Sequence, residues 1–390
     1  MKALKDKLDT LCIFRDFLKD PVISALCRFL DTPTSPAYAG FVATLYEANG
    51  GDLSAYVKEL CDNSSNIYVK TLGRGKTVPD HMYSALLSEL ETLQEVADLT
   101  KENLCSLFTY QGFLPDFAGS KLHLKDHYLH RTNNIEKYGY GIYARNYMFC
   151  VDAQDKIIPV RNPDRIGLSQ LVDYRREQQI ILDNTKALLD GKPAANILLT
   201  GDAGTGKSST VKAVANALWK EGLRLIEVRK DQLRAIPKIL DELSENPLKF
   251  VLFIDDLSFI KDDDNFNALK AVLEGSVTAK SSNVVIYATS NRRHIIKEKF
   301  SDRDGDDVHR NDTMQELISL SERFGIHVTF SKPNKQTYLH IVHSIAKEQA
   351  LDMEEAELDM LAERFALERG GRSARLARQF VDGLLSNIET

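Results

Sequence analysis

The residues with the clearest chemical potential run from Gly201 to Ser209, Gly-Asp-Ala-Gly-Thr-Gly-Lys-Ser-Ser, and contain the spacing GxxxxGK[ST]. Gly201, Gly204 and Gly206 permit positive φ, so the backbone can turn its N–H groups inward around phosphate oxygens. Asp202, Ala203, Thr205 and Ser209 complete the stretch assigned to the phosphates. Lys207 is spaced to reach the β- and γ-phosphates, and Ser208 offers a hydroxyl to Mg²⁺. Further along, Lys249-Phe-Val-Leu-Phe-Ile-Asp-Asp256 ends an apolar run in two carboxylates. Asp255 is suited to hold Mg²⁺ or its water. Asp256 is suited to orient and deprotonate an attacking water. A third apolar run, Asn283-Val-Val-Ile-Tyr-Ala-Thr-Ser-Asn291, also ends in polar side chains.

Such residues need elements to carry them. Asn196–Thr200 reads as a short buried strand and Ser208–Trp219 as a helix, so the glycine-rich loop lies between strand and helix, where helix N–H groups and dipole favour anions. Strand-like runs at Leu223–Val228, Phe250–Ile254, Val284–Ala288 and Ile326–Phe330 alternate with helical segments. That alternation predicts an α/β fold, a parallel sheet with helices on both faces. After Pro333, three helical patterns follow. Tyr338, Ile341, Val342 and Ile345 share one face, Leu358, Leu361 and Phe365 another, and the last helix starts near Gly370-Gly-Arg-Ser-Ala-Arg375.

Residues 1 to 150 read as mainly helical, with four to six helices. Asp20-Pro21, Ser35-Pro36 and Asp80 supply capping side chains, and Leu4, Leu8, Leu11 and Leu86, Leu90, Leu93 recur at helical spacing. Gly73-Arg-Gly-Lys-Thr77 lacks the full phosphate-loop spacing and reads as a surface turn. From Tyr128 to Phe149 aromatics alternate with basic residues. That run could stack on single-stranded nucleic acid, or be a linker packing its rings on the neighbouring domain, which the acidic chain favours. Tyr147–Asp152 and Lys156–Val160 read as a hairpin. Asp302–Asp307 resembles a calcium loop only superficially, since Gly305 falls too early, and reads as an exposed acidic loop.

The chain has 390 residues and a net charge of −6, with 43% hydrophobic and 27% charged residues. This describes a soluble protein of two or three domains with no bulk electrostatic affinity for nucleic acid. Cys12, Cys27, Cys61, Cys105 and Cys150 form no CxxC pair and suit reduced thiols. No run resembles a signal peptide or a membrane span, so a cytoplasmic location is expected.

In this order, the phosphate loop, the strand ending in Asp255-Asp256 and the strand ending in Thr289-Ser-Asn291 resemble the AAA+ ATPases. The wording of the segments is most similar to a bacterial AAA+ family of uncharacterised cellular role. The resemblance implies that Asn291 is sensor 1, contacting the γ-phosphate or attacking water. Leu171-Val-Asp-Tyr174 is similar to box II, with Leu171 and Val172 meeting adenine. Ser319-Leu-Ser-Glu-Arg-Phe-Gly325 resembles the stretch bearing the arginine finger, which would be Arg323, with Arg310, Arg292 and Arg293 as alternatives. Gly370–Arg375 resembles the start of the sensor 2 helix, with Arg372 the closer match and Arg375 the other.

The implied fold is a P-loop NTPase αβα domain (residues 151–332) with a C-terminal helical lid (333–390) and an N-terminal helical domain (1–150). The implied activity is binding and hydrolysis of ATP·Mg²⁺ at subunit interfaces of a homo-oligomeric ring or spiral. It would drive remodelling of an unidentified partner taken by the N-terminal domain. Many relatives carry Glu where Asp256 stands, so turnover could be slow. Lys230–Pro237 lacks the aromatic-apolar-Gly pore loop of the family's unfoldases. A nucleotide-gated loader with little turnover and a small-molecule kinase are the other readings.

Overall fold

Among the residues described by the computed structural model (2–257, 264–274, 282–291 and 322–386), the chain divides into Met1–Arg145 with Asn246–Leu248, and Asn146–Glu245 with Lys249–Thr390. The first unit is helical: α1 (Lys2–Asp9), α2 (Pro21–Asp31), α3 (Ser35–Asn49), α4 (Leu53–Asp62), α5 (Ile67–Gly73), α6 (Asp80–Ala97), α7 (Lys101–Cys105), α8 (Leu124–Asn133) and α9 (Ile135–Tyr138). These helices are shorter and more numerous than the four to six expected. Side chains restart the helix repeatedly: Asp52, Asn66 and Thr100 each accept a hydrogen bond from a first-turn N–H, satisfying donors the helix cannot pair itself.

Asp20 caps α2, accepting from the N–H groups of Val22 and Ile23. Before α3 the cap is Thr34 rather than Ser35, because Ser35 is already helical. Before α6, Pro79 holds the cap position without a side-chain bond, and Asp80 lies in the first turn, where its charge complements the dipole. The leucines of α1 and α6 meet in one core with Phe14, Phe29 and Tyr38. Glu89 is buried there, its carboxylate satisfied by the N–H groups of Cys12, Ile13 and Phe14. Tyr128 joins that core, and Arg131 lies 4.7 Å over the Tyr138 ring. The start of the aromatic-basic run is therefore part of the helical unit rather than a linker.

The second unit is built on β1 (Met148–Val151), β2 (Ile157–Pro159), β3 (Ile197–Gly201), β4 (Leu223–Glu227), β5 (Lys249–Ile254), β6 (Val284–Ser290) and β7 (Ile326–Phe330). They form one sheet in the order β2-β1-β4-β5-β6-β3-β7. The β1–β2 pair is an antiparallel hairpin, and every other pairing is parallel. Ile197, Leu199, Val251, Phe253, Val285 and Tyr287 pack with Ile181 and Leu188 of α10 (Arg175–Leu189) and Val211, Val214 and Leu218 of α11 (Lys207–Leu218). The alternating residues, Leu198, Phe250, Leu252, Ile254 and Ile286, are buried too. Both faces of the sheet are thus covered, as an all-parallel core requires. Helices α12 (Ile236–Ser244) and α13 (Asp264–Glu274) belong to the same unit.

A buried polar knot fixes the approach to the glycine-rich loop after β3. Asn184 of α10 bonds both the carbonyl and the N–H of Ala195, just before β3. Asn184 also donates to the Tyr287 hydroxyl at 3.0 Å, and Thr185 meets the same oxygen at 2.8 Å. Burial pushes the Tyr287 phenol up to about 12, so it remains a neutral partner. Beyond β7, α14 (Lys335–Glu348), α15 (Glu355–Glu368) and α16 (Ala374–Leu385) enclose their own core of Tyr338, Ile341, Val342, Phe365 and Phe380.

Candidate nucleotide site

Strand register brings the chemistry to one edge. Thr200 pairs with Ser290, and Ile254 pairs with Ala288, so β3, β5 and β6 end close together at their carboxyl ends, where open α/β sheets bind ligands. The loop after β3 demands its glycines. At Gly201 φ is +148°, and an added Cβ would lie 2.2 Å from the Phe330 carbonyl oxygen of β7. At Gly206 φ is +92°, which turns the chain into α11. Among the described residues, nothing accepts from the N–H groups of Ala203, Gly204, Thr205 or Gly206. Ala203 is exposed, but Gly204 and Gly206 are half-buried and Thr205 is buried, and buried or half-buried donors left this way call for an external acceptor.

Lys207 is buried. Its ammonium donates to the carbonyls of Gly201 and Asp202, at 2.7 and 2.8 Å, and to Asn291 Oδ1 at 3.3 Å. Burial pulls its pKa below the ordinary lysine value and Arg375 adds to that, while Asp255, Asp202 and Asp256 oppose it. An anion placed here would restore the balance. Asp255 Oδ1 accepts from Ser208 Oγ and from Thr289 Oγ1, both at 2.6 Å. Asp256 follows with φ of +52°. Its N–H donates to Thr289 Oγ1 at 2.9 Å, and its Oδ1 accepts from Asn291 Nδ2 at 3.2 Å. Lys207, Ser208, Asp255, Asp256 and Asn291 are therefore joined in one hydrogen-bonded cluster.

A cavity of about 710 Å³ adjoins the loop and includes Gly204–Thr210, Leu171, Val172, Ile341 and Ile345 in its lining. The segment that resembles box II reaches it through an unusual backbone: Asp173 and Tyr174 are consecutive left-handed residues with φ of 65° and 56°. Gln178 Nε2 holds that bend by donating to the carbonyls of Leu171 and Asp173. Another wall comes from Asp164–Ile166, whose carbonyls at Asp164 and Ile166 accept from Asn216 of α11. Sequence reasoning missed this wall because irregular backbone carries no periodicity.

The two arginines matched to sensor 2 separate. Arg372, the closer match for sensor 2, does not line the cavity, and its guanidinium makes a bidentate pair with Glu363 at 2.8 and 2.7 Å. Arg375 does line it, and its N–H donates to the Gly204 carbonyl at 3.3 Å. The reason is the helix cap: Ser373 accepts from the Leu376 N–H, so Arg372 precedes the helix and Arg375 sits in its first turn. Arg323 is half-buried just before β7 and outside the cavity lining. Arg292, Arg293, Arg310 and the acidic segment 302–307 lie outside the described residues.

A phosphate-loop strand β3 between β6 and β7, carboxylates on β5 one strand beyond β6, and a helical bundle bordering the cavity define the AAA+ class of P-loop NTPase fold. The chain belongs to the family described as "Protein of unknown function (DUF815)", which matches residues 143–388. No curated protein matches it. Among solved structures, Thermotoga maritima RuvB, a Holliday junction branch migration motor, is similar at 16% identity and a TM-score of 0.38. That match covers 57% of this chain and 66% of the other, just under two thirds. A point mutant of the same Thermotoga maritima protein is similar at 15% identity and a TM-score of 0.39, covering 56% of this chain and 64% of that one. The class assignment rests on this chain's own topology.

Proposed function

We propose that this protein binds ATP·Mg²⁺ in the cavity beside Gly204–Ser208 and hydrolyses it to drive remodelling of a partner. The observation that carries this reading is the cluster in which Asp255 meets Ser208 and Asp256 meets Asn291, itself bonded to Lys207. The unsatisfied N–H groups of Ala203–Gly206, with Lys207 and Arg375, bind the phosphates. The base lies between Ile341 and Ile345 and the backbone of Leu171 and Val172.

Among the described residues, no three His, Cys, Asp or Glu side chains gather as a metal cage. Ser208 and Asp255 supply two oxygens, which suits Mg²⁺, an ion that takes its remaining ligands from phosphate and water. When bound, the ion neutralises phosphate charge. Asp256 orients the attacking water and takes its proton, and Asn291 holds that carboxylate in register with Lys207. Arg323 acts on the γ-phosphate of a neighbouring copy in a homo-oligomeric ring or spiral, with the sheet from Asn146 to 332 as the motor rather than 151–332, because β1 belongs to it, 333–390 as its lid and the helical unit before Asn146 taking a protein partner.

A nucleotide-gated binding module with little turnover is the second reading. It draws support from Asp256 being tethered at both its N–H and its carboxylate, a restraint on any base that must move. Lys207→Ala should abolish binding of a fluorescent ATP analogue; unchanged affinity refutes the site. Asp256→Asn should bind ATP and not hydrolyse it. Wild-type turnover equal to that of Asp256→Asn would favour the gated module. Light-scattering mass on Asp256→Asn should rise when ATP·Mg²⁺ is added, and a monomer under both conditions removes the interfacial site.

A further inference from the structure

We infer that Thr289 is a positioning residue that sets both carboxylates of the site, and so its affinity for Mg²⁺; the inference rests on the ATP·Mg²⁺ reading above. A threonine hydroxyl has one proton to donate and two lone pairs to accept with. Here the proton goes to Asp255 Oδ1 at 2.6 Å, and a lone pair receives the Asp256 N–H at 2.9 Å. With Ser208 Oγ also donating at 2.6 Å and the Asp256 N–H, shared with Thr289, at 3.2 Å, Oδ1 is occupied. No described residue donates to Oδ2, so the carboxylate is turned with that oxygen free for a cation or its water.

The second bond acts on the backbone. Asp256 is a non-glycine residue at φ +52°, a conformation that costs free energy wherever a Cβ is present. The Thr289 hydroxyl offsets that cost, and the Leu257 N–H, donating to the Thr289 carbonyl at 2.7 Å, holds the next residue of the turn. Thr289 is 1% exposed at the end of β6, a strand position that suits a β-branched side chain. The hydroxyl is what the two aspartates require.

The test compares Thr289→Ser and Thr289→Ala, which both lose the γ-methyl group and differ only in the hydroxyl. A fluorescent ATP analogue is titrated in EDTA, then with rising Mg²⁺, and folding is checked by thermal melting. Affinity in EDTA should be the same for both variants, because the phosphate loop is untouched. The Mg²⁺ concentration for half-maximal binding should rise about tenfold or more in Thr289→Ala and stay near wild type in Thr289→Ser. Equal Mg²⁺ requirements in two folded variants overturn the positioning role while leaving the nucleotide site standing. A wild-type protein that binds no analogue overturns the nucleotide reading itself and this inference with it. If Thr289→Ala does not fold, Thr289→Ser carries the test: a tenfold rise with the hydroxyl retained also refutes it.

Discussion

Arg372 and Arg375 are three residues apart, and the site predicts opposite consequences for their removal. Arg375 lines the cavity within reach of Gly204 and lowers the pKa of Lys207 through its charge. A charge-assisted hydrogen bond to phosphate contributes about 1.5–3 kcal/mol, so Arg375→Ala should weaken ATP binding about 10- to 150-fold. Lys207 should also remain protonated to higher pH, since one of the influences holding its pKa down is gone. The alkaline limit of the remaining affinity should therefore shift upward. Arg372→Ala instead breaks the pair with Glu363, whose side chains are 32% and 15% exposed. Such a pair is worth at most about 1 kcal/mol of stability, with nucleotide affinity unchanged. Titration of a fluorescent ATP analogue across pH, with thermal unfolding of both variants, separates the effects. If Arg372→Ala loses affinity as Arg375→Ala does not, with both folded, the placement of the lid helix over the loop is refuted.

Three further outcomes follow from the geometry. Gly201→Ala forces a Cβ to 2.2 Å from the Phe330 carbonyl oxygen, which should cost about 3 kcal/mol or more and appear as a lower urea midpoint; a wild-type midpoint rejects the β3–β7 contact. Hydrogen bonding to Arg372 holds the Glu363 carboxyl below its ordinary value of 4.5. The stability it contributes is fully present above pH 4.5 and lost as pH falls through the lowered value. Glu363→Gln should flatten that part of the acid-melting profile, and an unchanged profile counts against the pair. Arg323→Ala should lose hydrolysis alone and regain it when mixed with Asp256→Asn, which keeps its finger; no recovery on mixing sinks the action on a neighbour.

What was legible in the sequence is what backbone geometry dictates. Gly201, Gly204 and Gly206 mark positions where positive φ is compulsory, and apolar runs ending in Asp255 and Asn291 reveal strands whose ends fall at one edge. Nothing comparable marks Asp164–Ile166, which reaches the cavity through irregular backbone held by Asn216. The lid arginines lie between these cases. Gly370–Arg375 correctly announces a helix, yet the choice between two cations turns on which residue caps it. Ser373 caps α16, and a serine ahead of an alternating apolar-basic run is the signal that could have placed Arg375 in the first turn. Cations there oppose the helix dipole. Arg372, outside the helix, is neutralised by Glu363; Arg375 makes no ion pair among the described residues. The arginine without an internal carboxylate is the one facing the loop whose amides lack acceptors, and a bound phosphate would satisfy both deficits at once.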